Sequence, residues 1–224
     1  EPFLPAEAQE RLAQRVCLPL DGLKVACYYG CALLRPTEVC NFDDDEQPHT
    51  MEDLVALSGA SPIEWNFKNE CCGASHQISV PKTGRTMIRR ILENAAANGA
   101  DAIACACPLC MLNLDMREAE INAARAKEGL PPLDIPIYYF TELLAASMGA
   151  PASKSGINRH FHPAGNLHER ALAAWNKQRA AEKEAEEAAK SAKETQRKAR
   201  AATRAAKAKS GTKPEANATK EVIA

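Results

Sequence analysis

No stretch of this 224-residue sequence is apolar for long enough to cross a lipid bilayer. A secretory signal peptide is also missing, and aromatic residues are scarce at 5%. Neither sign of charge dominates the whole chain, whose formal net charge is −1. These absences argue against an integral membrane protein and a secreted disulfide scaffold, so we expect a cytoplasmic protein.

Cysteine, by contrast, is abundant, with nine residues in the chain. Five of them form three groups: Cys31, the adjacent pair Cys71 and Cys72, and the pair Cys107 and Cys110. The first two groups are separated by 39 residues and the last two by 34 residues. Unpaired cysteines in a reducing compartment usually bind metal or take part in catalysis. Adjacent cysteines rarely bridge to each other without strain, which further disfavours disulfides.

Two kinds of metal site suit these cysteines. Four thiolates in tetrahedral geometry make a common structural zinc site, and the Cys107-x-x-Cys110 pair is half of one. Zinc ribbons, however, usually bring two such pairs, and this sequence has one. Five thiolates exceed the needs of one zinc ion and suit an iron-sulfur cluster, so we favour the cluster and keep zinc as the alternative.

Strand and helix patterns alternate four times along the chain. The predicted strands are 23–28, 63–67, 102–106 and 135–140, and the predicted helices are 50–58, 81–98, 109–127 and one that begins at Thr141. This alternation predicts an α/β fold, a single cysteine-rich domain with a largely parallel sheet flanked by helices. Pro136 indicates that the last strand lies at an edge of the sheet or starts late.

The predicted fold brings the cysteine groups together. Each group follows a predicted strand, and the ligand crevice of an open α/β sheet lies beyond the carboxyl ends of its strands. The third helix begins within Cys107–Cys110, so the positive end of its dipole should stabilise thiolates there. Gly73 should permit close approach of the backbone to a bulky inorganic core.

Several other residues have both a structural and a functional interpretation. We interpret Cys27 and Cys105, which lie on predicted strands, as small buried core residues. His76 is a candidate proton donor to a departing thiolate, or a residue that hydrogen-bonds its own loop. The acidic run 43–46 lacks the alternation of a calcium loop and is interpreted as a solvated loop. Tyr28 and Tyr29 either line a substrate crevice or pack in the core.

Composition divides the chain into four parts. We expect a helical lead-in at 1–20, the cysteine-rich domain at 21–150, a linker at 151–166 and an Ala/Lys/Glu-rich tail at 167–224. Residues 177–224 carry 13 Lys and Arg against 7 Asp and Glu, whereas 1–176 carry 15 against 22. The tail is predicted to be helical to about residue 209 or disordered. A docking arm is the other interpretation, and nucleic acid is disfavoured as its partner because the charges are of mixed sign and aromatic residues are nearly absent, Trp175 being the only one at 167–224.

The motifs resemble those of a known family. They are Cys27-Tyr-Tyr-Gly-Cys31, Arg35-Pro36, Cys71-Cys72-Gly73, Cys107-Pro-Leu-Cys110 followed by Asn113-Leu114-Asp115, then Tyr139-Phe140-Thr141 and Arg159-His160-Phe161. Their order and spacing over residues 20–162 resemble the second cysteine-rich CCG domain in the B subunit of heterodisulfide reductase.

The resemblance implies a noncubane 4Fe-4S cluster held by Cys31, Cys71, Cys72, Cys107 and Cys110. It implies reductive cleavage of a small disulfide of the CoM-S-S-CoB type. The implied partners are a ferredoxin-like 4Fe-4S subunit, a flavoprotein subunit and a second cysteine-rich domain. The chain starts at Glu1 without methionine, so we expect that other domain on a missing segment or on another polypeptide.

Two further functions stay open. Related cysteine-rich domains resemble electron-transfer subunits of quinone-linked oxidoreductases acting on succinate, glycolate, lactate or glycerol phosphate. A zinc-bound interaction module, with the basic tail recruiting partners, is the third possibility.

Overall fold

A computed structural model describes residues 4–210. The chain divides between Lys177 and Gln178 into two compact units. The first unit contains the sheet and every cysteine, and the second consists of helix over its described residues.

The sheet has four parallel strands in the spatial order β2-β1-β3-β4, and their bounds are β1 Lys24–Tyr28, β2 Ser61–Pro62, β3 Ala102–Cys105 and β4 Ile137–Tyr139. Val25 pairs with Ala102, and Cys105 pairs with Tyr139. The predicted α/β class with a parallel sheet and flanking helices is therefore confirmed. Pro136 precedes β4, which lies at an edge of the sheet as expected.

Helices cover both faces of the sheet. Four long or central helices are α3 Thr50–Ala56, α5 Pro81–Ala97, α6 Pro108–Lys127 and α7 Phe140–Ser147. Alternate residues of β1 point to opposite faces, as expected for a strand. Cys27 joins one hydrophobic cluster with residues of α3 and α7, whereas Tyr28 joins a second cluster with residues of α5 and α6. The domain is thus a three-layer structure with a core on each side of the sheet.

Local sequence signals account for α5. Pro81 occupies the first turn, where its missing N–H costs nothing, and Gly99 follows the helix with φ +77°. Between them Ile88, Ile91 and Leu92 recur at helical spacing and are buried. The periodic apolar stripe therefore packs against the sheet as the sequence predicts.

The shorter elements of the first unit are α1 Ala6–Ala13, α2 Thr37–Cys40, α4 His76–Ser79, α8 Ala152–Ser155 and a 3-10 helix at Ile157–Arg159.

The predicted strand at 63–67 is wrong, because β2 ends at Pro62. The N–H of Ile63 still donates to the carbonyl of Val25 at 2.9 Å, but the chain then forms a loop. Trp65 is buried in that loop and donates to the carbonyl of Cys27 at 2.9 Å. The alternation of apolar residues there reflects a packed loop and not a strand.

The last helix is α9 Leu167–Ser210. In the first unit Leu167 and Ala171 are buried in the core. In the second unit Lys190 pairs with Glu186 at 2.7 Å, one helical turn apart. Residues 211–224 of the predicted tail lie outside the described residues. Among the described helices, none combines the length and hydropathy that a membrane span requires.

Candidate metal centre

Two of the three cysteine groups lie at the carboxyl ends of central strands. Cys31 follows the end of β1 by three residues, and Cys107 follows the end of β3 by two. Because β1 and β3 are parallel neighbours, both cysteines lie at the same edge of the sheet.

The loop after β2 brings the Cys71 and Cys72 pair to that same edge. The N–H groups of Tyr29 and Gly30 both donate to the carbonyl of Lys68, at 2.7 and 3.2 Å. The Tyr28 hydroxyl donates to the carbonyl of Glu70 at 2.6 Å. These three bonds hold the loop against the chain that leaves β1.

The cysteine side chains contact one another in pairs. The Cys31 and Cys71 side chains are hydrogen-bonded, as are those of Cys72 and Cys110. Cys110 also interacts with Cys107, the first residue of its own motif. All five predicted ligands are therefore part of one group of thiols drawn from three loops.

The contact between Cys72 and Cys110 shifts their pKa values in opposite directions. The hydrogen bond from Cys110 lowers the pKa of Cys72, assisted by the N–H of Ala74 and by Asn113, and these outweigh the effect of burial. The same hydrogen bond, followed by burial, raises the pKa of Cys110 well above its usual range. The two thiols therefore titrate as a pair, and their hydrogen bond favours a thiolate at Cys72.

Tyr28 lies beside the thiols from the strand side. Burial raises the pKa of its hydroxyl, and four of the five cysteines (Cys110, Cys72, Cys71 and Cys31) add to the shift. Its side chain is fully buried, so it packs as a wall of the site and does not line an open crevice.

The N-terminus of α6 faces the same group. Cys107 is the N-cap, Pro108 is in the first turn, and the N–H of Met111 donates to the carbonyl of Cys107 at 2.9 Å. Free backbone amides and the positive end of the helix dipole therefore lie next to Cys107 and Cys110, where they favour negative charge.

Gly30 provides room for the thiols. Its φ of +69° is one that side chains rarely adopt, and a Cβ atom on it would lie 2.9 Å from Cys110 Sγ. Gly73 has φ +72°, but a Cβ there would meet Met87 Sδ at 2.9 Å and Gly84 at 3.1 Å. Gly73 therefore permits close packing on α5, and Gly30 permits close approach of Cys110 Sγ to the backbone. The close approach of Gly73 to an inorganic core stays a prediction.

The donor set fits an iron-sulfur cluster. No three His, Cys, Asp or Glu side chains of residues 4–210 are arranged to hold a single metal ion. The five thiols come from three loops at the carboxyl edge of the sheet, and a cluster takes its cysteines on several iron atoms. The lowered pKa of Cys72 and the dipole of α6 suit thiolate ligands, and the missing Cβ of Gly30 lets the Cys110 thiol approach the backbone.

The remaining cysteines lie elsewhere. Cys27 and Cys105 are fully buried on β1 and β3, and burial raises the pKa of both thiols. They pack as small core residues. Cys17 is exposed, and Cys40 hydrogen-bonds the carbonyl of Ala32.

The other candidate residues have structural partners or lie at the margin of the site. His76 is the first residue of α4, and its N–H donates to the carbonyl of Gly73 at 2.9 Å. Its role as a proton donor stays a prediction. Tyr29 is fully buried, and its hydroxyl donates to Glu52 and accepts from the N–H of Met51.

The acidic run forms a hydrogen-bonded loop. Asp43 Oδ2 accepts the N–H groups of His49 and Thr50 at 2.9 and 2.8 Å. Asp44 Oδ1 accepts those of Glu46 and Gln47 at 2.9 and 2.7 Å. These carboxylates stabilise the turn that leads into α3.

Asn113 is a residue of the site to which sequence reasoning assigned no role of its own. Its side-chain amide is buried and donates to the carbonyl of Cys72 at 2.8 Å. The usable signal was its position three residues after Cys110, which places both residues on one face of α6. A polar residue on an otherwise buried helix face normally has a partner, and here the partner is a candidate ligand.

Comparison with known proteins supports a specific domain type. Residues 25–115 match the family described as "CCG: Cysteine-rich domain". The chain is 29% identical over 163 residues to the 8-methylmenaquinol:fumarate reductase membrane anchor subunit of Wolinella succinogenes, covering 72% of this chain and 56% of that protein. It is 30% identical over 153 residues to the B subunit of the Ferredoxin:CoB-CoM heterodisulfide reductase of Methanosarcina mazei, covering 67% and 49%.

A third relative, from Archaeoglobus profundus, is named for its likeness to the B subunit of heterodisulfide reductase. It is 29% identical over 155 residues, with 66% of this chain and 50% of that protein covered. The chain thus spans about half the length of the curated relatives it matches. The matched region includes all five grouped cysteines.

Proposed function

This chain contains a cysteine-rich domain of the CCG family, related to the B subunit of heterodisulfide reductase, and we propose that it is the iron-sulfur electron-transfer part of an oxidoreductase complex. The observation that carries the proposal is the meeting of five thiols from three loops at one edge of the sheet. Two similar proteins are named as subunits of different reductases, and a reductase transfers electrons to its substrate.

In this proposal Cys31, Cys71, Cys72, Cys107 and Cys110 hold a noncubane 4Fe-4S cluster, which would accept and pass on electrons. The residues around them have separate tasks. The α6 N-terminus offsets thiolate charge, Asn113 fixes the backbone of Cys72, and Gly30 leaves space beside Cys110.

The substrate that we favour is a small disulfide of the CoM-S-S-CoB type. It is supported by the Methanosarcina mazei relative, whose name specifies the CoB-CoM heterodisulfide and ferredoxin. The proposed partners are a ferredoxin-like 4Fe-4S subunit, a flavoprotein subunit and a second cysteine-rich domain. The second domain is proposed from the family resemblance of the cysteine motifs.

A quinone-linked oxidoreductase is the second candidate. The specific observation in its favour is the Wolinella succinogenes relative, whose name specifies 8-methylmenaquinol and fumarate. In that case the same cysteines would hold a cluster that passes electrons between a quinol and another subunit, without disulfide chemistry at this site.

Metal analysis tests the proposal. Iron, acid-labile sulfide and zinc are measured per chain after anaerobic purification of the parent protein, Cys72→Ser and Cys17→Ser. We expect about four irons and four sulfides in the parent and in Cys17→Ser, whose altered cysteine is exposed and outside the group, and fewer in Cys72→Ser. One zinc per chain with little sulfide would contradict the proposal and indicate a structural zinc module.

Reoxidation of the reduced protein separates the two redox functions. The protein is reduced anaerobically, mixed with a disulfide substrate or with a menaquinone analogue, and followed by its visible absorbance. Reoxidation by the disulfide alone supports the first candidate. Reoxidation by the quinone alone supports the second and removes the first.

A further inference from the structure

A concave surface adjoins the cysteine group on the side of β4. It is a cleft of about 400 Å³ between the start of α6, the start of α7 and the 3-10 helix. Its lining includes Met111, Leu112, Tyr139, Thr141, Arg159 and Phe161. Ligand clefts of this size commonly combine apolar walls with a few polar groups, as this one does.

The cleft is next to the candidate ligands. Met111 directly follows Cys110 on α6, and Tyr139 pairs in register with Cys105 on β3. Because β3 and β4 are parallel neighbours, Tyr139 at the end of β4 lies at the same edge of the sheet as Cys107, which follows β3. A molecule in the cleft would therefore lie against the site of the proposed cluster.

Two carboxylates beneath the cleft are already occupied. Asp115 accepts the N–H groups of Phe161 and His162, both at 2.8 Å. Glu142 accepts the N–H of Tyr139 at 2.9 Å through one oxygen, and its other oxygen lies 3.0 Å from His160 Nε2. Both acids are buried, so they hold the walls in place and leave little acceptor capacity for other cations.

His160 offsets the charge of Glu142. Burial acts to lower the pKa of the His160 ring, but the hydrogen bond and charge of Glu142 outweigh it and hold the pKa above its usual value. The side chains of both residues are less than 10% exposed. This ion pair makes the floor of the cleft closer to neutral.

Arg159 is a cation at the cleft that is not paired with Asp115 or Glu142. Its side chain is exposed at the cleft, and among residues 4–210 its guanidinium has neither a hydrogen bond nor an ion pair. Nearby in the sequence, Arg170 makes two contacts with the Asp134 carboxylate at 3.1 and 3.2 Å. A free guanidinium presents a planar set of donors that suits carboxylate, sulfonate and phosphate groups.

The segment that carries Arg159 is fixed in position. Gly156 starts the 3-10 helix with φ +95°, Ile157 is buried in the core, and Asp115 holds the two residues beyond His160. The backbone that carries Arg159 is therefore preorganised, and only the arginine side chain has to be ordered when an anion binds.

We propose that this cleft binds a small organic anion, with its charged group on Arg159 and its apolar body on Met111, Leu112 and Phe161. This inference rests on the proposed function, since it assigns the chemical class of the molecule that reaches the cysteine site. Phe161 is 65% exposed and Leu112 is 49% exposed, so both offer apolar surface that such a body would cover.

The test uses four-carbon probes that differ only in the end group: butanoate, butane-1-sulfonate, butyl phosphate and butan-1-ol. Dissociation constants are measured by ligand-observed NMR with the anaerobically purified, cluster-loaded full chain. We expect the anions to bind more tightly than the alcohol, and the strongest of the three identifies the end group. Arg159→Gln should weaken anion binding about tenfold or more and leave the alcohol unchanged.

Arg11→Gln is the matched control. It removes one exposed arginine on α1 that does not line the cleft, and it should leave all four constants unchanged. Arg159→Lys should retain part of the anion binding. Equal weakening by both glutamine variants would show general charge attraction and overturn the inference, as would equal binding of anions and alcohol.

Iron and sulfide are measured in the same samples. A normal iron content without selective anion binding overturns the proposed anion site and leaves the proposed function unaffected. Selective anion binding with zinc in place of iron overturns the proposed function, and the cleft stands as an anion site.

Discussion

The side-chain amide of Asn113 donates a hydrogen bond to the backbone carbonyl of Cys72 at 2.8 Å. The bond joins the first turns of α6 to the loop that carries the adjacent cysteines. Since Cys110 lies one turn earlier on α6 and contacts the Cys72 side chain, Asn113 fixes the relative position of two cysteine groups.

Replacing Asn113 by leucine should therefore impair the metal centre. The substitution keeps the approximate volume but leaves the buried carbonyl of Cys72 without its donor, which costs about 1–3 kcal/mol of the free energy of unfolding. We expect lower iron and sulfide per chain, measured after anaerobic purification.

Asn122→Leu is the matched control. Asn122 is also on α6 and donates to the carbonyl of Leu133 at 2.8 Å, away from the cysteines. It also accepts the N–H of Leu133 at 2.7 Å, so its loss should destabilise the fold at least as much. If both variants lose iron equally, Asn113 acts only through general stability.

Gly30→Ala should remove the space beside Cys110. A Cβ atom would lie 2.9 Å from Cys110 Sγ, and the positive φ adds a backbone penalty of about 1–2 kcal/mol. We expect loss of iron together with a lower free energy of unfolding, measured by metal analysis and denaturant titration.

Gly99→Ala separates these two effects. Gly99 has φ +77°, and nothing lies within 4 Å of the position that a Cβ atom would take there. This variant should lose similar stability and keep its iron. Iron loss in both variants would assign the effect at Gly30 to backbone strain.

Local patterns predicted most of the fold. The apolar stripe of α5 and its bounding Pro81 and Gly99 predict a helix at 81–98, and the helix spans Pro81–Ala97. The alternation of apolar residues at 63–67 led to the wrong prediction of a strand. Trp65 is buried there although it belongs to a loop. Periodicity reports which side chains are buried, and it does not by itself distinguish a short strand from a packed loop.

For the site, the sequence predicted the cysteine groups and their common edge, because both depend on strand order and motif position. It could not predict that Cys110 contacts Gly30, or that Asn113 contacts the backbone of Cys72. Those contacts join residues far apart in sequence and depend on how α6 is oriented on the sheet. No local pattern records that orientation.

Asp115 should control the order of the segment that forms the cleft. Asp115→Asn removes the charge and one of the two acceptors used by the N–H groups of Phe161 and His162. Hydrogen bonds to charged groups contribute about 1.5–3 kcal/mol, so we expect faster hydrogen-deuterium exchange across residues 157–163.

Asp101→Asn serves as the control for that experiment. Asp101 Oδ2 also accepts a backbone N–H, that of Lys24 at 2.9 Å, but at the start of β1. It should leave exchange at 157–163 unchanged. Unchanged exchange in Asp115→Asn would show that the segment is held by its other contacts, such as the buried Ile157.

Glu118 should make stability depend on pH. It is fully buried on α6, its Oε1 accepts the N–H of Ile135 at 3.2 Å, and its Oε2 lies 3.1 Å from His162 Nδ1. Burial raises its pKa from 4.5 to about 7, and Asp134 and Asp115 add to this, against the Ile135 N–H and Arg170. The folded state therefore binds the proton more tightly than the unfolded state.

The direction of the pH dependence follows from the difference in the pKa of Glu118 between the folded and unfolded states. The contribution of the protonated Glu118 to the free energy of unfolding is fully present below pH 4.5. It is lost as the pH rises to about 7, and the loss is about 3 kcal/mol at most. Glu118→Gln stays neutral and keeps an oxygen for the N–H of Ile135. Denaturant titrations should show the variant gaining stability over the parent between pH 5 and pH 8.

Glu120→Gln provides the comparison, since Glu120 is on the same helix but partly exposed beside Arg85. The difference in the free energy of unfolding between Glu120→Gln and the parent should stay constant over the same pH range. A constant difference for Glu118→Gln as well would mean that Glu118 is ionised throughout, with its charge balanced by His162 and Arg170. The burial of its carboxylate would then carry no pH-dependent cost.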